Sequence, residues 1–129
     1  MECVGALAWR PDNPLPLEDG GVGDVGTISF CLVNGSLTID EDLMDAVGLL
    51  THEKILVANV ENGNRFETYA IPGARGSGMI CLNGATAHKG VKGDRVIIFS
   101  FAVMTPQEAK TYKPIVLCLD AANKGVEFF

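Results

Sequence analysis

Short apolar runs alternate along this chain with breaks rich in Gly, Pro and Asn, a rhythm that predicts many short strands and little helix. Val25 to Val33 and Ser36 to Ile39 are β-prone and are separated by the turn signal Asn34-Gly35. Asp40 can cap a two-turn helix through Val47 that presents Leu43, Met44 and Val47 on one face and ends at Gly48. Lys54 to Val60 and Arg65 to Ile71 form a hairpin about Asn62-Gly63. Met79 to Leu82 predicts a short buried strand, and Asn83 to Gly93 a loop with one helical turn. Val96 to Val103 reads as one continuous strand buried on both faces. A helical turn over Pro106 to Lys110 and strands over Ile115 to Leu119 and Val126 to Phe129 complete the series. The fold class is therefore mainly β, a small barrel whose closure removes sheet edges.

Length adds one constraint: 129 residues make a single domain with one core. Pro11, Pro14, Pro16, Gly20, Gly21, Gly23 and Gly26 break both helix and strand ladders, so residues 1–24 are expected as an irregular leader. The formal net charge of −6 is uneven, since residues 1–35 hold five acids and one base while the remainder is nearly balanced. With no basic stripe interleaved with aromatics, a nucleic-acid partner is not expected. No stretch approaches the ~20 apolar residues of a membrane span. Cys3, Cys31, Cys81 and Cys118 are widely spaced and match no zinc pattern, so no metal is expected and reduced thiols in a cytoplasmic protein are.

Candidate chemistry centres on Gly35-Ser36. A serine hydroxyl can attack the preceding carbonyl, move the acyl group from nitrogen to oxygen, and lose the resulting ester by elimination. The dehydroalanine left behind hydrolyses to a pyruvoyl cap, a ketone that no ordinary side chain supplies. Glycine before the serine lacks a Cβ that would crowd the attack. The chain holds a second such pair, Gly76-Ser77, and most of these dipeptides are turns. On the returning hairpin strand, alternation places Arg65, Glu67, Tyr69 and Ile71 on one face and Phe66, Thr68 and Ala70 on the other. Arginine suits a carboxylate, and a positioned tyrosine can deliver a proton. Pattern alone equally allows Arg65 to pair with Glu67 or Glu61 at the surface and Tyr69 to be packing. The small residues of Asn83-Gly84-Ala85-Thr86-Ala87-His88 let backbone approach a ligand, with Asn83 able to orient a carbonyl. His52 and His88 read as solvated loop residues, and Gly73 to Gly78 lacks the lysine and spacing of a phosphate loop.

Four segments, Gly35 to Leu43, Asn62 to Ile71, Asn83 to His88 and Gly93 to Ile98, taken in order and without gaps, resemble the pyruvoyl-dependent aspartate 1-decarboxylases. The resemblance runs from Thr27 to Ala122 and selects Gly35-Ser36 over Gly76-Ser77. It implies a double-psi β-barrel with short helices, a homotetramer with sites between subunits, self-cleavage between Gly35 and Ser36, and decarboxylation of L-aspartate to β-alanine for pantothenate supply. Ser36 would become the covalently bound pyruvoyl cofactor. Thr68 would hydrogen-bond the Gly35 carbonyl, Arg65 would hold a substrate carboxylate, Tyr69 would return a proton, and Asn83, Gly84 and Ala85 would position the small amino-acid substrate. Whether cleavage takes a maturation factor stays open at this level. The family's first-strand lysine and histidine fall at Gly20 and Val22, the tyrosine before the cleavage glycine at Val33, and a site-lining aromatic at Ala58. Those changes admit two alternatives, a paralogue acting on another acidic amino acid and an uncleaved oligomeric scaffold.

Overall fold

The computed structural model describes residues 2–4, 7–9, 35–120 and 122–128. Ten strands are present among them: β1 (Glu2–Val4), β2 (Leu7–Trp9), β3 (Ser36–Asp40), β4 (Lys54–Asn59), β5 (Arg65–Gly73), β6 (Ile80–Asn83), β7 (Val96–Ser100), β8 (Ala102–Met104), β9 (Val116–Leu119) and β10 (Gly125–Phe128). Two short helices, α1 (Glu41–Val47) and α2 (Pro106–Thr111), and a 3₁₀ helix over Gly84–Lys89 connect them. Eight strands form one sheet in the order β10-β9-β2-β7-β4-β5-β3-β6, and β1 pairs separately with β8. Most pairs are antiparallel, but β3 runs parallel to β5 and β2 parallel to β9.

The sheet curls until its two ends meet. Ile39 and Ile80 from one end and Leu117 and Leu119 from the other line the same small apolar cavity, together with Ile98. The loop before β6 is tied to the turn before β10: Asn123 Nδ2 donates to the Gly78 carbonyl at 2.6 Å, and Lys124 Nζ donates to that of Gly76. Gly78 is required there, because a Cβ would fall 2.4 Å from the Ala122 carbonyl oxygen and φ is +68°. Inward positions at every second residue, Leu37 and Ile39, Ile55 and Val57, Val96 and Ile98, fill one core. This is the expected small, mainly β barrel.

Helix α1 forms for the reasons its sequence suggests. Asp40 caps it by accepting from the Asp42 N–H at 2.9 Å, and Gly48 closes it in the left-handed conformation at φ 71°. Met44 is buried, with Leu43 and Val47 packed beside it. Asp40 does more than cap: its carboxylate, 1 % exposed, also accepts from the N–H groups of Gly76 at 3.0 Å and Gly78 at 2.7 Å. Burial acts against ionisation, yet these backbone donors and the charge of Lys124 outweigh it and hold Asp40 below its ordinary 3.8. A depressed carboxylate contributes stability that is present above its unfolded value and lost as pH falls through the folded one. Asp40→Asn is therefore expected to lower stability at pH 7 by about 1–3 kcal/mol. Melting temperatures of the two proteins converge as pH drops below 4 if this holds, and a constant gap down to pH 2 contradicts it.

Two readings of the pattern are corrected. The run Val96 to Val103 is broken at Phe101, where the chain leaves the barrel sheet and β8 joins β1 instead. Composition does not mark the break, because the outward Phe101 stacks on Phe99 at 6.2 Å and looks as apolar as a core residue. The expected leader also contains β1 and β2, the latter between β7 and β9 in the barrel. The remainder of that expectation, and the strand over Val25 to Val33, lie outside the described residues.

Candidate active site

Ser36 opens β3 and is 4 % exposed. Its Oγ accepts from Asn83 Nδ2 at 3.0 Å, and the other hydrogen of that amide goes to Thr38 Oγ1 at 2.8 Å. On the far side of Asn83, the Cys81 thiol lies 3.6 Å from Oδ1. The amide is thus held at both ends, with its nitrogen toward the serine. The position follows from pairing, since Ser36 stands opposite Asn83 in the antiparallel β3–β6 ladder.

The bond before Ser36 is gripped from the other neighbour of β3. Thr68 Oγ1 donates to the Gly35 carbonyl at 2.6 Å. The parallel β3–β5 ladder pairs Leu37 with Ala70, so counting back two residues along each strand brings Gly35 beside Thr68. The same count places Ser36 beside Tyr69. Directly paired residues share a face, so Asn83, Ser36 and Tyr69 form a row across β6, β3 and β5, with Arg65 further along the same face of β5. Thr68, on the opposite face from Tyr69, reaches the carbonyl rather than the serine side chain.

Arg65 is exposed and, among the described residues, makes no ion pair or side-chain hydrogen bond. Both surface partners that pattern allowed it are engaged elsewhere: Glu67 pairs with Lys54 at 2.9 Å, and Glu61 with Arg95 at 2.5 Å. Its neighbour on β4 is Ala58, so the side chain at that cross-strand position is small. Tyr69 is half-buried with its ring edge-on to His52 at 5.9 Å. His52 is an exposed turn residue, as its sequence context suggests, and its ring meets Tyr69 edge-on. His88 is exposed at the end of the 3₁₀ helix.

The 3₁₀ helix closes the third side. Gly84 begins it at φ 58°, a left-handed geometry that favours glycine, and Gly84 and Ala85 are exposed. Thr86 is buried, and its Oγ1 lies 2.8 Å from the Asn83 carbonyl and 3.2 Å from that of Ser36. Sequence reasoning missed Thr86 and Thr38, because a hydroxyl inside a run of small or β-branched residues carries no periodic signal. The competing pair, Gly76-Ser77, is a turn: Ser77 N–H and Oγ both donate to the Ala74 carbonyl, at 3.2 and 2.6 Å. Positions 20, 22 and 33 lie outside the described residues. No group of three His, Cys, Asp or Glu side chains able to hold a metal occurs among the described residues.

The arrangement can bring a hydroxyl to a carbonyl that is already hydrogen-bonded, with an exposed arginine further along the same face. The family model described as aspartate decarboxylase matches residues 28–126. The aspartate 1-decarboxylase of Bacillus velezensis is 59 % identical over 90 residues, 70 % of this chain and 71 % of that protein. Those of Pelotomaculum thermopropionicum and Bacillus subtilis are each 57 % identical, over 72 % and 70 % of this chain and 70 % and 71 % of their own lengths.

Proposed function

This chain belongs to the aspartate decarboxylase family, and from that premise we propose that it cleaves itself at Gly35-Ser36 and then decarboxylates L-aspartate to β-alanine and carbon dioxide. The carrying observation is the grip on the scissile junction, with Thr68 on the Gly35 carbonyl and Asn83 on the Ser36 hydroxyl. Ser36 Oγ adds to the Gly35 carbonyl carbon, the C–N bond breaks, and the freed amine carries away the hydroxyl proton, leaving an ester. Thr68 stabilises the oxyanion that this addition creates. Loss of the Ser36 Cα proton then expels the Gly35 carboxylate, and the dehydroalanine takes up water and releases ammonia to give the pyruvoyl ketone. The residues around position 36 fit that group, since the buried, hydrogen-bonded pocket that holds the hydroxyl also holds the atoms left after its departure.

When formed, the ketone supplies an electrophile for the substrate amine and an electron sink for loss of carbon dioxide. Arg65 binds the carboxylate that is retained. Tyr69, in the same row as position 36, returns a proton to the carbon that carbon dioxide leaves. Departure of the serine oxygen frees one hydrogen of Asn83 Nδ2, which then points into the site for substrate, alongside the exposed Gly84 and Ala85. The face carrying Arg65 and Tyr69 also presents half-buried Leu56, Ile97 and Phe99, which supports a site completed by another subunit in a homotetramer. A cytoplasmic role in pantothenate supply goes with this reading. In the described residues no helix is long and apolar enough to cross a membrane.

Thr68→Val is expected to slow cleavage by roughly 10²-fold, the effect of losing one oxyanion donor, while Thr68→Ser cleaves normally. Time courses of chain cleavage on denaturing gels measure this, and an unchanged rate in the valine variant contradicts the assignment. Substrate choice is tested by supplying processed protein with L-aspartate, L-glutamate and L-cysteate. Carbon dioxide release fastest from aspartate, with β-alanine formed from it in equal amount, is the expected result. Processed protein that leaves aspartate untouched overturns the substrate assignment.

A further inference from the structure

We infer that Thr86 is a positioning residue of the cleavage step: its methyl group is what restricts position 35 to glycine, and its hydroxyl fixes the plane of the Ser36 carbonyl. This rests on the self-cleavage reading and names a determinant within it. A Cβ on residue 35 would fall 2.9 Å from Thr86 Cγ2, closer than real Cβ contacts. The next atoms a Cβ would meet, Thr86 N at 3.4 Å and Ala85 Cβ at 3.8 Å, lie at ordinary van der Waals distance. At the Cβ itself, that one methyl group is therefore the obstacle. Thr86 cannot withdraw easily. It is 7 % exposed, and its hydroxyl is shared between the carbonyls of Asn83 and Ser36.

That sharing links the two reacting partners. Asn83 supplies both the amide that holds the Ser36 hydroxyl and one of the carbonyls that anchor Thr86, while the other anchor is Ser36 itself. Thr86 thus sets the rotation of the Ser36 carbonyl relative to a hydroxyl that must reach the preceding carbonyl carbon. A misplacement on the order of 1 Å in such a step costs roughly 10²-fold in rate. The side-chain hydroxyl and methyl have separate duties, so they can be separated by substitution.

The test is a set of cleavage time courses on full chains, each read with a melting curve. Gly35→Ala in the Thr86 background should cleave roughly 10²-fold more slowly than the unaltered chain, a displacement of the scissile bond. Gly35→Ala combined with Thr86→Ser, which keeps the hydroxyl and removes the methyl, should recover to within about tenfold of the unaltered rate. Thr86→Val keeps the shape and removes the hydroxyl, and should fall by roughly tenfold, the worth of one hydrogen bond in a barrier. Failure of the double variant to recover, or normal cleavage of Gly35→Ala alone, overturns the methyl's role. An unchanged rate in Thr86→Val overturns the hydroxyl's. These failures are distinct from that of the wider reading, which falls only if the unaltered chain does not cleave.

Discussion

Ser36→Ala is expected to leave the chain whole. Without Oγ there is no nucleophile for the Gly35 carbonyl, no ester and no leaving carboxylate, so the loss is complete rather than partial. The folded state should tolerate the change: Asn83 Nδ2 keeps Thr38 as a partner, and Leu37 and Ile39 still fill the core. A cost of about 1 kcal/mol in stability is expected for the lost hydrogen bond. The variant is then a folded precursor, unable to form the ketone, and should neither react with carbonyl reagents nor decarboxylate aspartate. Cleavage of Ser36→Ala between positions 35 and 36 would mean that another group attacks the bond.

Arg65→Ala should divide processing from turnover. Arg65 is exposed and touches neither Gly35 nor Ser36 in the hydrogen-bond network, so cleavage should run at its normal rate. The processed variant should lose about 10²-fold or more in kcat/KM for aspartate, as expected when a charge-assisted, two-point contact with a carboxylate is removed. Arg65→Lys should recover only part of it, because an ammonium cannot reproduce the planar fork. Glu67→Gln is the companion measurement. If Arg65 were held by Glu67, this change would disturb turnover as well, but Glu67 belongs to Lys54 and the expected effect is nil. Slow cleavage in Arg65→Ala would place the arginine in the wrong step.

These outcomes depend on features of unequal visibility in the sequence. The hairpin of β4 and β5 was legible because its two apolar runs flank Asn62-Gly63, and Gly63 does adopt φ 74°. Helix α1 was legible from Asp40 and Gly48, whose capping roles are local. Alternation along β5 correctly separated Arg65 and Tyr69 from Thr68, and pairing with β3 explains why both faces bear on one junction: one face meets the serine and the other the carbonyl before it. What stayed hidden depends on contacts distant in sequence. Asp40 reaches the loop before β6, Thr86 reaches across to Ser36, and Phe101 marks a change of sheet that only the pairing of β8 with β1 reveals. No residue type announces such partners, because they are set by closure of the barrel.

Within the site, the sequence pattern named Arg65, Tyr69 and Asn83, the family resemblance added Thr68, and Arg65 was left with two surface partners open to it. In the structure Glu61 pairs with Arg95 and Glu67 with Lys54. The structure also turns the glycine argument from a general one into a specific one, since the atom that a Cβ would strike is Thr86 Cγ2.

Formation of a cofactor from Ser36 by this chain is tested by the intact mass of the purified protein. Two polypeptides are expected, one ending at Gly35 and one beginning at position 36, the second lighter than its unmodified sequence because the terminal amine has been replaced by a ketone. Mild reduction with borohydride should add two hydrogens to that second fragment alone. A single mass equal to the full chain, persisting after prolonged incubation of folded protein, would contradict it.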